Sequence, residues 1–129
     1  MCAILLSINP KHVENIMNGT KKYEFRKTAC KRHVDKILIY STNPVMKIVG
    51  EAEVEDVLID NPEIIWKKTK KKSGIDKVFF DQYYDAREQA VAYKLKNVIK
   101  YREPKELKDY GISSAPQSFQ YIEESQILK

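Results

Sequence analysis

Glycine and cysteine are scarce in this chain, and their scarcity removes several functions at once. The four glycines stand singly at 19, 50, 74 and 111, which leaves neither a phosphate-cradling P-loop nor a dinucleotide-binding fingerprint. The two cysteines, Cys2 and Cys30, are too few for a disulfide framework and form no C-x-x-C pair. His12 and His33 are the only histidines able to join them as soft metal ligands. Cys30 and His33 lie three apart, but no second ligand pair follows, so no metal is expected. H-E-x-x-H, nucleophile-elbow and EF-hand patterns are missing too, and nothing specifies an organic cofactor. No apolar run approaches the roughly 20 residues that span a bilayer. The start, Met1 to Ser7, is apolar but has no basic flank, and Asn9-Pro10 cuts it short. It reads as a first strand and not a secretion signal. Reduced thiols in the cytoplasm are therefore the expectation.

What is present describes one globular domain over residues 1–129. Hydrophobic residues make up 43% of the chain and charged residues 32%, enough to bury roughly two-thirds of the unfolded surface without a metal or disulfide. The net charge of +5 hints at a polyanionic partner. It is concentrated in Lys67, Lys68, Lys70, Lys71 and Lys72, five lysines in six positions. That run has two readings: a solvated helix end, where cations complement the dipole, or a contact to a phosphate backbone.

Along the chain, residues 3–8 form an apolar run consistent with a buried strand. Asn9 and Pro10 open a helix that buries Val13, Ile16 and Met17 and stops at Gly19. A strand at 22–26 and a basic loop at 27–34 follow. Another strand at 35–40 ends in the turn sequence Ser41-Thr42-Asn43-Pro44. Residues 46–58 read as a longer strand, bulged near Gly50, with Glu51, Glu53 and Glu55 on one face. Asn61-Pro62 starts a helix that buries Ile65 and Trp66 and runs into the lysines until Gly74. Asp76 caps a third helix, whose Phe79, Phe80, Tyr83 and Tyr84 read as core and not as a base-stacking platform. A strand at 90–98, a helical turn at 104–110 and a short tail element anchored by Phe119 and Ile122 complete the chain. Strands in runs with helices inserted favour an α+β fold with a curved, mostly antiparallel sheet, most simply a small barrel.

The segment Gly19 to Arg26 carries the most chemistry. In an extended strand Tyr23 and Phe25 face one way while Lys22, Glu24 and Arg26 face the other. With Lys21 in the preceding turn, this places a cation–anion–cation group on a rigid element. It could grip a nucleotide or polarise a carbonyl; alternatively it is a solvated face with an incidental ion pair.

Gly19, Lys21, Glu24 and Arg26 match G-x-K-x-x-E-x-R, and here the chain resembles the ASCH family of small β-barrels related to PUA domains. Leu6-Ser7-Ile8, Tyr40-Ser41-Thr42, Val49-Gly50-Glu51 and Pro116-Gln117-Ser118-Phe119 carry the likeness along nearly the whole chain. The resemblance implies a PUA-like barrel with inserted helices and a cleft beside the first helix. It also implies RNA or a nucleotide as partner, and a ligand-binding set of Lys21, Glu24, Arg26, Tyr40, Ser41, Gln117 and Ser118. Some members look like RNA-binding modules of translation or transcription, and a few bacterial ones are metal-independent hydrolases. Among the latter, one type deacetylates acetylated cytidine with a Lys, a Thr and a Glu, and others cleave single-stranded RNA. Glu24 stands where the amidohydrolases have their Thr, and a carboxylate does not simply replace that nucleophile.

Three functions follow from these residues. In a binding module, Lys21 and Arg26 hold a phosphate or base edge and Glu24 accepts from an exocyclic amine, with the lysine run on the nucleic-acid backbone. In a hydrolase, Lys21 and Glu24 carry the chemistry, with Ser118 and Tyr40 as further polar groups. In a protein scaffold, the acidic row Glu51, Glu53 and Glu55 is the working surface. Neither the ligand nor the oligomeric state is legible at this level.

Overall fold

The computed structural model describes residues 2–123 and 126. Its strands are β1 (Ala3–Ile8), β2 (Tyr23–Arg26), β3 (Lys36–Ser41), β4 (Lys47–Asp60), β5 (Ala90–Lys105) and β6 (Phe119–Ile122). Its α-helices are α1 (Pro10–Met17), α2 (Pro62–Thr69) and α3 (Lys77–Tyr83), with 3-10 turns at Lys70–Lys72 and Leu107–Tyr110. One mixed sheet runs in the order β2-β5-β4-β3-β1-β6 and curls into a half-barrel. Four of its five pairings are antiparallel, and β1 with β3 is parallel. Among the described residues, no helix is long and apolar enough to cross a membrane.

The uninterrupted apolar runs of β1 and β3 are explained by their central places, since a strand buried on both faces needs no polar alternation. Ile4, Leu6, Ile37 and Ile39 enter the core shared with α1 and with Val91, Tyr93 and Leu95 of β5. Ala3, Leu5, Leu38 and Tyr40 face a second core closed by Ile48, Tyr110 and Ile122. A third, mostly aromatic core joins Phe25 of β2 and Ala90 and Ala92 of β5 to Ile65 and Phe80 of the helices.

The sheet does not close on itself: β2 and β6 are its ends and do not pair. Four residues each, they leave little free backbone edge to protect. The Tyr83 hydroxyl of α3 donates to Phe25 O, and the Tyr84 hydroxyl, just past α3, reaches both Arg26 O of β2 and Val91 O of β5.

β5 is longer than its apolar alternation suggests and carries Pro104 within it, so the helical turn begins only at Leu107. Its length is set by β4, whose 14 residues it follows through three register shifts. One of these shifts falls between Ile48 and Gly50. There a Cβ on Gly50 would lie 2.4 Å from Ile99 O, so the position admits only glycine without backbone movement.

Every carboxylate of the acidic row on β4 is engaged within the sheet, two of the three by lysines. Glu51 pairs with Lys36 at 2.8 Å and accepts from the Tyr101 hydroxyl, Glu55 pairs with Lys94 at 2.8 Å, and Glu53 accepts from Asn97. A row with two of its three charges paired locally offers little to a basic partner, which weakens the scaffold reading.

Candidate functional site

The site is built by α1, β2 and α3 around a cavity of about 200 Å³. Asn9 accepts from the Lys11 amide and Pro10 occupies the first helical position, which sets the start of α1 and places His12 in its first turn. Gly19, at φ +87°, turns the chain out of α1 and into β2.

The strand alternation holds in β2. Glu24 and Arg26 stand opposite Tyr93 and Val91, which belong to the first core, whereas Phe25 stands opposite Ala92 in the aromatic core. Glu24 and Arg26 are not a solvated pair, however. Their side chains are 8% and 13% exposed, and Arg26 Nη2 lies 2.9 Å from Glu24 Oε2. Arg26 Nε also donates to that oxygen, and Nη2 donates to Ser7 O at 2.9 Å, tying β2 to β1. Glu24 Oε1 accepts no hydrogen bond among the described residues.

Lys21 is only 3% exposed. Its Nζ donates to Ser73 O at 2.8 Å and lies 4.7 Å from the centre of the Phe25 ring. The 72–74 segment is fitted to it: Lys22 N donates to Lys72 O, and a Cβ on Gly74 would lie 2.4 Å from Lys21 Cβ. Gly74 therefore does more than stop a helix, since its missing side chain leaves room for the lysine stem. Burial drives the Lys21 pKa down to about 8, with Glu24 opposing and Arg26 reinforcing the shift.

This has a measurable consequence for stability. The native ammonium gives up its proton near pH 8 and the unfolded one near 10.5, so between those values the unfolded state holds more protons. The Lys21 contribution to stability then rises with pH across that window, by on the order of 3 kcal/mol for the full shift. Urea unfolding at about pH 7, 8.5 and 10 should show the wild type gaining stability relative to Lys21→Met as pH rises. Parallel pH profiles for the two proteins would contradict it.

The remaining walls were not legible as site residues. Phe79 and Tyr83 lie 6.4 Å apart with ring planes 8° from parallel, and both border the cavity with Ile75. Of the four α3 aromatics expected in the core, only Phe80 and Tyr84 are buried there. Phe80/Tyr84 and Phe79/Tyr83 are two i,i+4 pairs one residue apart, and a helix can turn only one such stripe fully inward. His12 borders the cavity with its ring 5.5 Å from Phe79, and its Nδ1 is buried with no hydrogen-bond partner among the described residues. Burial, with Lys21 next in weight, pushes its pKa below the ordinary imidazole value. Its one sequence signal is a place four residues before buried Ile16, which puts it on the inward side of α1.

Other expected site residues stand elsewhere. Tyr40 is buried in the second core, and Ser41 is buried beside Ile8 in the β1–β3 register. Gln117 and Ser118 are exposed, and Ser118 offers its carbonyl to Ser7 N. None of the four borders the cavity. All five lysines of the run are exposed. Lys70 and Lys71 border a second hollow beside the cavity, while Lys67, Lys68 and Lys72 border neither. No three His, Cys, Asp or Glu side chains among the described residues converge as a metal site.

Known proteins share this architecture. A crystal structure of ASCH from Zymomonas mobilis superposes with a TM-score of 0.89 at 21% identity, covering 98% of this chain and 91% of that one. In sequence, the chain is 37% identical over 120 residues to the large ribosomal subunit protein uL22 of Ureaplasma parvum. That alignment takes in 92% of this chain and only 39% of the ribosomal protein. An ASCH domain-containing ribonuclease of Zymomonas mobilis is 24% identical over 94 residues, or 72% of this chain and 64% of the ribonuclease. The family pattern described as the ASCH domain matches residues 6–105, a span holding Lys21, Glu24, Arg26 and the aromatic wall of α3. On that match, the chain belongs to the ASCH domain family.

Proposed function

We propose that this chain binds single-stranded RNA as one domain, taking a nucleobase into the cavity between α1, β2 and α3. The observation that carries this reading is the buried Arg26–Glu24 pair with one carboxylate oxygen left open, set beside Lys21 and beneath the Phe79–Tyr83 wall. A base edge has donors for Glu24 Oε1 and acceptors for Lys21, and its flat face matches an aromatic ring. Arg26 is already engaged by Glu24 and Ser7, so its role is to hold the carboxylate in place. The names of two relatives, a ribosomal protein and a ribonuclease, support RNA over other polyanions and translation or RNA turnover as the setting. The free thiols of Cys2 and Cys30 fit a reducing compartment such as the cytoplasm.

A second reading, metal-independent hydrolysis, is favoured by one observation. A lysine with its pKa lowered to about 8 is neutral in a useful fraction of molecules at neutral pH, and its charged form would stabilise a developing phosphorane.

Glu24→Gln and Lys21→Met separate the two readings. Glu24→Gln keeps an acceptor for Arg26 while removing the charge. In a binding module each change should weaken single-stranded RNA binding by about 1.5–3 kcal/mol, one charge-assisted hydrogen bond in a desolvated site. In a hydrolase both should abolish turnover and leave binding largely intact. The assay is binding and cleavage of single-stranded RNA and of acetylated nucleosides, on variants shown to be folded by circular dichroism. If neither substitution moved binding or turnover, the cavity would not be the functional site.

A further inference from the structure

A second hollow, of about 590 Å³, opens directly beside the cavity and shares Asn9, His12, Ile75 and Phe79 with it. The two form one groove, with His12 and Phe79 at the junction. The outer part is lined by Lys11, Lys70 and Lys71. None of these has a carboxylate partner among the described residues, although Lys36, Lys47, Lys77, Lys94 and Lys108 each do. Asp76 also borders the hollow, its Oδ1 accepting from Phe79 N as the cap of α3, so the lining sets three ammonium groups against one carboxylate. That excess of positive charge one step from a base-sized cavity suits the phosphate that joins one nucleotide to the next.

At the junction, His12 borders both hollows with its ring against Phe79. A strand with its base in the inner cavity and its phosphate in the outer hollow runs past this imidazole, and in RNA the joining group is the ribose. Its 2′-hydroxyl both donates and accepts, so it can hydrogen-bond a ring nitrogen in either tautomer, whereas deoxyribose has no such group.

Resting on the base-binding reading above, we propose that the groove takes at least a dinucleotide of RNA. The base lies in the inner cavity, the linking phosphate lies among Lys11, Lys70 and Lys71, and the 2′-hydroxyl meets the His12 imidazole. The ligand is therefore an RNA strand and neither a free nucleoside nor DNA.

Calorimetry with the four ribonucleosides, the four ribo-homodinucleotides and their 2′-deoxy counterparts tests this. The wild type should bind its preferred ribodinucleotide at least about tenfold more tightly than the matching nucleoside, the increment of one charge-assisted contact. The Lys70→Gln/Lys71→Gln double variant should lose most of that gain and keep the nucleoside affinity. His12→Phe retains an aromatic ring against Phe79; it should erase the ribo-over-deoxy preference, so that the two dinucleotides bind the variant equally. Equal wild-type affinity for nucleoside and dinucleotide would overturn this proposal while leaving base binding intact. So would a double variant that weakens both ligands alike, or a His12→Phe variant that weakens ribo and deoxy ligands alike. No binding of any probe by the wild type would overturn the base-binding reading together with this one.

Discussion

Arg26→Met is expected to destabilise the protein by about 3–5 kcal/mol, the cost of removing one member of a buried ion pair. The figure follows from what stays behind. Glu24 is 8% exposed at its side chain, and both Arg26 contacts to it reach the same oxygen, Oε2. Without the guanidinium, that carboxylate is left in a poorly hydrated place with no compensating donor. The Ser7 carbonyl loses its partner as well, loosening β2 from β1 at the mouth of the cavity. The double variant Arg26→Met/Glu24→Leu should recover much of the loss, because replacing both members of a buried pair with apolar groups is often close to neutral. Urea midpoints at constant m-value measure both changes. A loss under about 1 kcal/mol for the single variant is what a solvated pair gives, and it would contradict the burial of this group.

Phe80→Ala should cost about as much, 3–5 kcal/mol, for a different reason. Phe80 is fully buried, at 0% exposure, and its ring meets Phe25 at 5.4 Å, Trp66 at 5.0 Å and Tyr84 at 4.8 Å. It is the point where α2, α3 and β2 meet, so its removal leaves a cavity beneath the helix that carries Phe79 and Tyr83. Phe79→Ala is the contrasting case. At 45% exposure it should leave stability within about 1 kcal/mol of the wild type, as surface positions do. It should nonetheless weaken single-stranded RNA binding by about 1–3 kcal/mol, the worth of one stacking platform. Thermal unfolding and RNA affinity on both variants make the test. Equal stability losses at 79 and 80 would mean that the two aromatic stripes of α3 are both structural. An unchanged affinity in Phe79→Ala would remove the wall from the binding surface.

Local rules carried most of the fold. Asn9-Pro10 and Asn61-Pro62 mark helix starts because a side-chain acceptor and a preset φ suit the first turn wherever the helix lies. The continuous apolar runs at 3–8 and 37–40 mark strands buried on both faces. Within Tyr23 to Arg26, the twofold repeat of a strand places Glu24 beside Arg26 and sets Phe25 against them. These relations hold between near neighbours, so backbone geometry alone determines them, and the ASCH hallmark could be read from a single segment.

What covers each face was decided elsewhere in the chain. Whether the Glu24–Arg26 pair meets water or protein depends on α1 and α3, which come before and after β2 in the sequence and line the cavity with it. Which aromatic stripe of α3 turns inward depends on Phe25 and Trp66, and the other stripe thereby becomes a cavity wall. Tyr40, Ser41, Gln117 and Ser118 match the family pattern as letters, but their strand faces and exposure place them outside the cavity. His12 enters it because α1 docks with that side toward Phe79, and Gly74 makes room for Lys21 from 53 positions away. Periodicity ties a residue to its neighbours within one element, whereas a site is made of faces from several elements. Only the packing of those elements against one another determines which faces meet.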